Sequence, residues 1–155
     1  MNYNIRKATN EDIPTIWEIG KDVTGFETAK DIVTFWPESI LKNCINKRDV
    51  MIEVIEVDEK IIGFAIININ LSLKKAELEN LYIIDDYRHK GYGKVLLLDA
   101  IDELEDIGIE NICAMSDDAV DFLVRNGFTK GRQFYWMDLA LSNRFKKEVK
   151  DARGI

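Results

Sequence analysis

ENLYIIDDYRHKGYG, residues 79–93, decides how this chain is read. Leu81 to Ile84 closes an apolar, β-branched run that begins at Ala76, and the run stops at Asp85-Asp86, which predicts a strand followed by a turn. Beyond Gly91 the period changes. Leu97, Ala100, Ile101, Leu104 and Ile107 share one helical face, Asp99, Glu103 and Asp106 share the other, and Gly108 suits a C-terminal cap. The stretch is therefore strand, glycine turn and helix N-terminus. A helix N-terminus leaves backbone N–H groups without partners and carries partial positive charge. Gly91 and Gly93 sit where an anion must approach those groups closely. Arg88, Lys90 and Lys94 add cationic charge beside them. The chain as a whole has 21 basic and 28 acidic residues, a net charge of −7, so this basic cluster runs against the background and points to a polyphosphate ligand.

Three other origins of such a stretch can be weighed. A P-loop needs a G-x-x-x-x-G-K-[ST] pattern, which is missing. A dinucleotide-binding fingerprint needs a third glycine where Leu96 stands, and it should open a parallel unit near the N-terminus. A glycine turn that merely joins strand to helix accounts for the glycines but not for the arginine and lysines around them.

Outward from this centre, Tyr3 to Ala8 reads as a first strand, and Thr9-Asn10-Glu11-Asp12 has the form of a capping box. Ile13, Ile16, Trp17 and Gly20 follow helical spacing. Pro14 is tolerated only in a first turn, which moves the start of that helix toward Asp12. Pro37 can begin a second helix with Ile40, Leu41, Cys44 and Ile45 on one face. Val50 to Val57 and Ile61 to Asn70 read as a hairpin joined at Asp58-Glu59-Lys60. Ile109 to Met115 reads as a buried strand, Ala119 to Asn126 as a short helix stopped by Gly127, and Gln133 to Leu141 as a last strand. Adjacent antiparallel strands plus a helical crossover predict an α/β fold with a mixed sheet flanked by helices. Residues 1–141 read as one domain, and 142–155 as a charged tail.

Composition narrows the partners. Net negative charge opposes a phosphate backbone, so nucleic acid is not expected, whereas a cationic acceptor is favoured. No segment approaches the ~20 apolar residues of a membrane span, and Met1 to Arg6 lacks the apolar run of a signal peptide. The expectation is a cytoplasmic protein, monomer or homodimer, without a membrane partner and without a metal. Cys44 and Cys113 have apolar flanks and read as reduced, buried structural thiols rather than as a disulfide framework.

The stretch from Glu79 to Gly93 closely resembles the acetyl-CoA motif of GNAT N-acetyltransferases. Ile5 to Ile13 resembles that family's opening strand and helix, and Asn126-Gly127-Phe128 its closing "GF" signature. The resemblance spans roughly residues 4–141 and implies a GNAT-like acyl-CoA N-acyltransferase fold. It also implies an activity: transfer of an acetyl group from acetyl-CoA, as acyl-donor co-substrate, to a primary amine of a small molecule, peptide or protein. Backbone amides of Arg88, His89, Lys90, Gly91, Tyr92, Gly93 and Lys94 would bind the pyrophosphate of CoA. Backbone groups of Leu81, Tyr82 and Ile83 would pair with pantetheine like an added strand, an amide polarising the thioester carbonyl. The Ala76–Ile84 strand would splay from the Ile109–Met115 strand to make room.

Transfer needs a base for the amine proton, which in the family is often a glutamate acting through water. Glu79 is the first candidate and Glu77 the second, two apart on one strand face. The family's usual general acid is a tyrosine four residues before the "GF" glycine. Leu123 stands there, and Ser116 replaces the asparagine often found seven residues earlier. Leucine cannot donate a proton, so Tyr82 and Tyr135 are the substitutes to consider. An acyl-CoA sensor that binds without turnover is the alternative which Leu123 motivates. His89 lies inside the phosphate loop, so a solvent-facing or phosphate-facing role suits it better than that of a base. Phe26, Phe35 and Trp36 fall in the region that lines the acceptor site, with Phe35 reading as core.

Overall fold

The two longest β-branched runs meet at Asp58-Glu59, which both take positive φ (50° and 63°) in a two-residue turn. Such a turn matches the twist of its flanking strands and so sets the hairpin β2 (Val50–Val57) and β3 (Lys60–Asn70). In the computed structural model, which describes residues 2–23, 25, 26, 35–116, 118–133, 135, 137, 139 and 141–143, these two strands form the middle of a mixed five-stranded sheet. β1 (Asn4–Lys7) lies antiparallel outside β2, and β4 (Lys75–Ile83) antiparallel outside β3. The chain then crosses through α3 (Tyr92–Asp106) and returns as β5 (Asn111–Ala114), parallel to β4. The order β1-β2-β3-β4-β5 is the mixed sheet that the sequence predicts.

Helices cover both faces. On one face, α1 (Ile13–Gly20) and α2 (Glu38–Cys44) bring Ile13, Ile16 and Leu41, with Phe35, onto Ile52, Val54, Phe64 and Ile66. The entry to α1 is tightly held. The Thr9 N–H donates to the Asp12 carboxylate at 2.7 Å, and Arg6 donates to it twice, at 2.6 and 2.9 Å. Pro14 falls in the first turn of α1, where its missing N–H costs nothing. On the other face, α3 and α4 (Val120–Arg125) bring Leu97, Ala100, Leu104 and Leu123 onto Met51, Ile67, Ala76 and Leu78. Each such leucine contributes roughly 2 kcal/mol on burial.

Several expectations are corrected. The buried face of α3 is Leu96, Leu97, Ala100 and Leu104, while Ile107 is exposed. The helix ends at Asp106, so Ile107 lies past the last turn that faces the sheet. Ile40 is exposed too, leaving Leu41 as the buried anchor of α2. Cys44 and Cys113 are free thiols but only half-buried. The described residues of the expected last strand, Gln133, Tyr135, Met137, Leu139 and Leu141, form no strand, and all five are exposed. A β-prone run also needs an edge to pair with, and β5 offers only Asn111–Ala114 as an edge. The other residues of that range, and the tail beyond residue 143, lie outside the described residues.

Candidate active site

The site begins where β4 and β5 part. Their parallel register runs from Lys75↔Asn111 to Leu78↔Ala114 and ends there, while β4 continues to Ile83. Among the described residues, the β4 edge over residues 79–83 therefore has no strand on its β5 side. The direction of its backbone groups follows from alternation. The Ile84 N–H donates to the Ile62 carbonyl at 2.9 Å, so Ile84 faces β3, and Ile83 and Leu81 must face the open side. Tyr82, whose β3 partner is Phe64, turns its backbone inward. Of the three residues expected to meet pantetheine, Leu81 and Ile83 thus carry the outward N–H and C=O groups.

The opening coincides with a β-bulge. Ile67 pairs with Leu78 and Ile66 with Asn80, which leaves Glu79 as the extra residue on β4. A bulge redirects side chains by breaking the alternation. Before it, Ala76 and Leu78 pack toward α3; after it, Leu81 and Ile83 do so. Glu79 and Asn80 turn to the α1/α2 face. The Glu79 carboxylate accepts from Asn68 Nδ2 at 2.7 Å, and Asn68 lies opposite Glu77 in the β3–β4 ladder. Glu77 and Glu79 therefore share one face, as expected. Partial burial and the neighbouring Glu77 push the Glu79 carboxyl above its ordinary value, and the Asn68 bond opposes them. Asn80 is buried and accepts from Trp36 Nε1 at 2.8 Å, which fixes the indole beside the bulge. Phe26 lies against Phe35, Phe64 and Tyr82, with ring centroids 5.7 to 6.3 Å apart.

Past β4, a turn over Asp85–Tyr87 leads to Arg88 and the glycines. Gly91 caps α3 in the left-handed region at φ 86°, and His89 is also left-handed at φ 59°. Among the described residues, no backbone carbonyl accepts from the N–H groups of residues 89–94. Six amides and a helix N-terminus thus open beside the splayed edge, an arrangement that suits an anion. Arg88 is arranged differently from the expectation. Its amide is bonded to the Asp85 carbonyl at 3.1 Å. Its guanidinium donates to the Ile83 carbonyl at 2.8 Å, pairs with Asp85 at 3.4 Å and stacks 4.7 Å from the Tyr82 ring centroid. Lys90 donates to the Asp86 carbonyl at 3.0 Å. The cationic side chains thus rim the loop while its amides stay free.

Leu123 is buried in the core with Leu97, Ala100 and Leu104 of α3. Ser116 accepts from the Ala119 N–H at 2.9 Å and so helps to start α4. Tyr135 is 92% exposed, whereas Tyr82 lies on the α1/α2 face against Arg88 and Phe26. A separate open recess is lined by Arg6, Asp12, Thr15, Glu56 and Lys60. Arg6 there is already paired with both Asp12 and Glu56, so two carboxylates already offset its charge. The sequence pointed to the loop and to both glutamates. It did not point to Asn68 or Asn80, whose only signal was an amide interrupting an apolar run.

The chain matches the Acetyltransferase (GNAT) family over residues 13–128. A spermidine N(1)-acetyltransferase of Thermoplasma acidophilum is 27% identical over 145 residues, covering 83% of this chain and 89% of that one. The structure of the PaiA N-acetyltransferase from Thermoplasma acidophilum, in complex with coenzyme A, superposes with a TM-score of 0.71 at 27% identity, covering 83% of this chain and 91% of that one. An aminoglycoside acetyltransferase from an uncultured soil metagenomic sample, in complex with sisomicin, shares the fold with a TM-score of 0.70 at 17% identity, covering 90% of this chain and 97% of that one.

Proposed function

Since this chain belongs to the acetyltransferase (GNAT) family and is an acetyl-CoA-dependent acyltransferase, we propose that its acceptor is a primary amine carrying further positive charge, acetylated by direct transfer. The observation that carries this reading is the meeting of three features at one place: the open β4 edge, the free amides at the N-terminus of α3, and the carboxylates of Glu77 and Glu79 at the bulge. The net charge of −7 and the spermidine named for the relative both favour a polycationic acceptor.

In this reading the amides of residues 89–94, with Arg88, Lys90 and Lys94 around them, hold the pyrophosphate. The Leu81 and Ile83 backbone groups, with Tyr82 between them, hold pantetheine along the open edge. The amine nitrogen attacks the thioester carbonyl carbon and the carbon–sulfur bond breaks. Glu79, or Glu77 behind it, takes the amine proton through water. The departing thiolate takes a proton from water or from Tyr82, since Leu123 cannot supply one. Residues 1–141 act as one cytoplasmic domain, monomer or homodimer, with 142–155 as its tail.

The test is free-thiol release from acetyl-CoA with a panel of polyamines, monoamines, aminoglycosides and peptides, alongside CoA affinity. Turnover is expected to be highest with polyamines. Failure to bind CoA overturns the reading, and binding without thiol release on any acceptor replaces it with the acyl-CoA sensor. Glu79→Gln is expected to lower kcat about 100-fold or more, and an unchanged rate across pH removes Glu79 as the base.

A further inference from the structure

Glu79 is the extra residue of the β4 bulge, so the ladder gives it no cross-strand partner. Its carboxylate is held instead by one side chain from the neighbouring strand, Asn68, whose Nδ2 donates to Oε1 at 2.7 Å. The orientation of that amide is dictated by chemistry: an ionised carboxylate only accepts, so the nitrogen and not the oxygen of Asn68 must face it. Asn68 also stands directly opposite Glu77. It therefore places a neutral donor on Glu79 and across the ladder from Glu77, on the face that an acceptor amine would enter.

We propose that Asn68 is the positioning residue of the acyl-transfer site, holding the Glu79 carboxylate in one orientation at the bulge. The inference rests on the reading of Glu79 as the general base. An amide suits this position better than its alternatives. A lysine would pair with Glu79 and weaken it as a base. An aliphatic residue would leave Glu79 beside Glu77 with no donor to oppose the desolvation and like charge that raise its carboxyl. Glu77 is the charged neighbour that acts on Glu79. Trp36 and Asn80, the other polar groups at the bulge, are neutral and bonded to each other.

The experiment compares pH profiles of kcat/KM for wild type, Asn68→Ala, Asn68→Asp and Glu79→Gln with acetyl-CoA and one fixed amine, so that the amine's own ionisation is constant. Loss of the donor should move the acid limb to higher pH in Asn68→Ala. Asn68→Asp, isosteric but adding a third carboxylate, should move it further. On the acid limb kcat/KM should fall about fivefold in Asn68→Ala, with the plateau within about twofold and CoA affinity unchanged. A limb that stays in place in both Asn68 variants, or a uniform loss at every pH, overturns the inference while Glu79→Gln still reports on Glu79. If Glu79→Gln keeps the wild-type limb, Glu79 is not the base and the role given to Asn68 falls with it.

Discussion

Gly91 caps α3 at φ 86°, a conformation that costs most L-residues about 1–2 kcal/mol. Asparagine and aspartate tolerate it comparatively well and nearly match in size. Gly91→Asn and Gly91→Asp should therefore lose similar stability in thermal unfolding. Only the aspartate sets a negative charge against pyrophosphate, so its CoA affinity by calorimetry should fall at least about tenfold further; equal affinities would mean that the loop is not the phosphate site. The residue scale also holds a group that the sequence did not single out. Glu53 reads as one polar interruption of a β-branched run, like Glu56, yet their settings differ. Glu56 accepts from Arg6 at 2.7 Å, whereas Glu53 is 2% exposed beneath α3, with Oε2 unpartnered among the described residues. Burial, with Asp99 and Glu103 opposing charge and Lys7 favouring it, pushes the Glu53 carboxyl up from 4.5 to about 7. A raised carboxyl favours the fold most below the unfolded value and loses that contribution as pH rises through the folded one. Urea unfolding should thus show Glu53→Gln more stable than wild type above about pH 7, by at most about 3 kcal/mol, with the gap closing near about pH 4.5.

At the scale of elements, the β4 bulge and the early end of β5 together build the site. Neither is written as a motif. The strand identities of Ala76 to Ile84 and Ile109 to Met115 were legible from their β-branched runs, but a bulge reflects how two strands register once paired, and Ile66↔Asn80 exists only in the ladder. Gly63 shows how tightly that ladder is packed behind the site. A Cβ there would meet the Tyr82 carbonyl, and Ile83 Cδ1 at 2.5 Å. Gly63→Ala should therefore push β4 away from β3 and destabilise the protein by about 1–3 kcal/mol. Because Tyr82 and Ile83 are displaced with it, CoA affinity should weaken although no residue of the phosphate loop has changed. Unfolding curves and CoA titrations on the same sample check both effects, and retained affinity in a destabilised variant would separate the β4 edge from CoA binding.

Across the whole molecule, an excess of seven negative charges surrounds a locally basic loop. Exposed charges attract through solvent and are screened within about 10 Å at 0.1 M salt. Raising ionic strength should raise KM for a polyamine several-fold and that for a monoamine much less; equal sensitivity would detach acceptor choice from the protein's field. Globally the sequence was informative because period, glycine placement and charge are local quantities. They determined the strand–loop–helix at residues 79–93, the hairpin at Asp58-Glu59, the Leu97, Ala100 and Leu104 part of the apolar stripe of α3, and the family resemblance. Over Gln133 to Leu141 the sequence suggested a strand, and the described residues of that range form none. What the tertiary structure decided are relations between distant residues: Glu79 left without a ladder partner by a bulge and bonded to Asn68, Trp36 tied to Asn80, Arg88 folded over Tyr82, and Glu53 sealed beneath a helix some forty residues further along. Each depends on which strand pairs with which and in what register, and no local pattern encodes that.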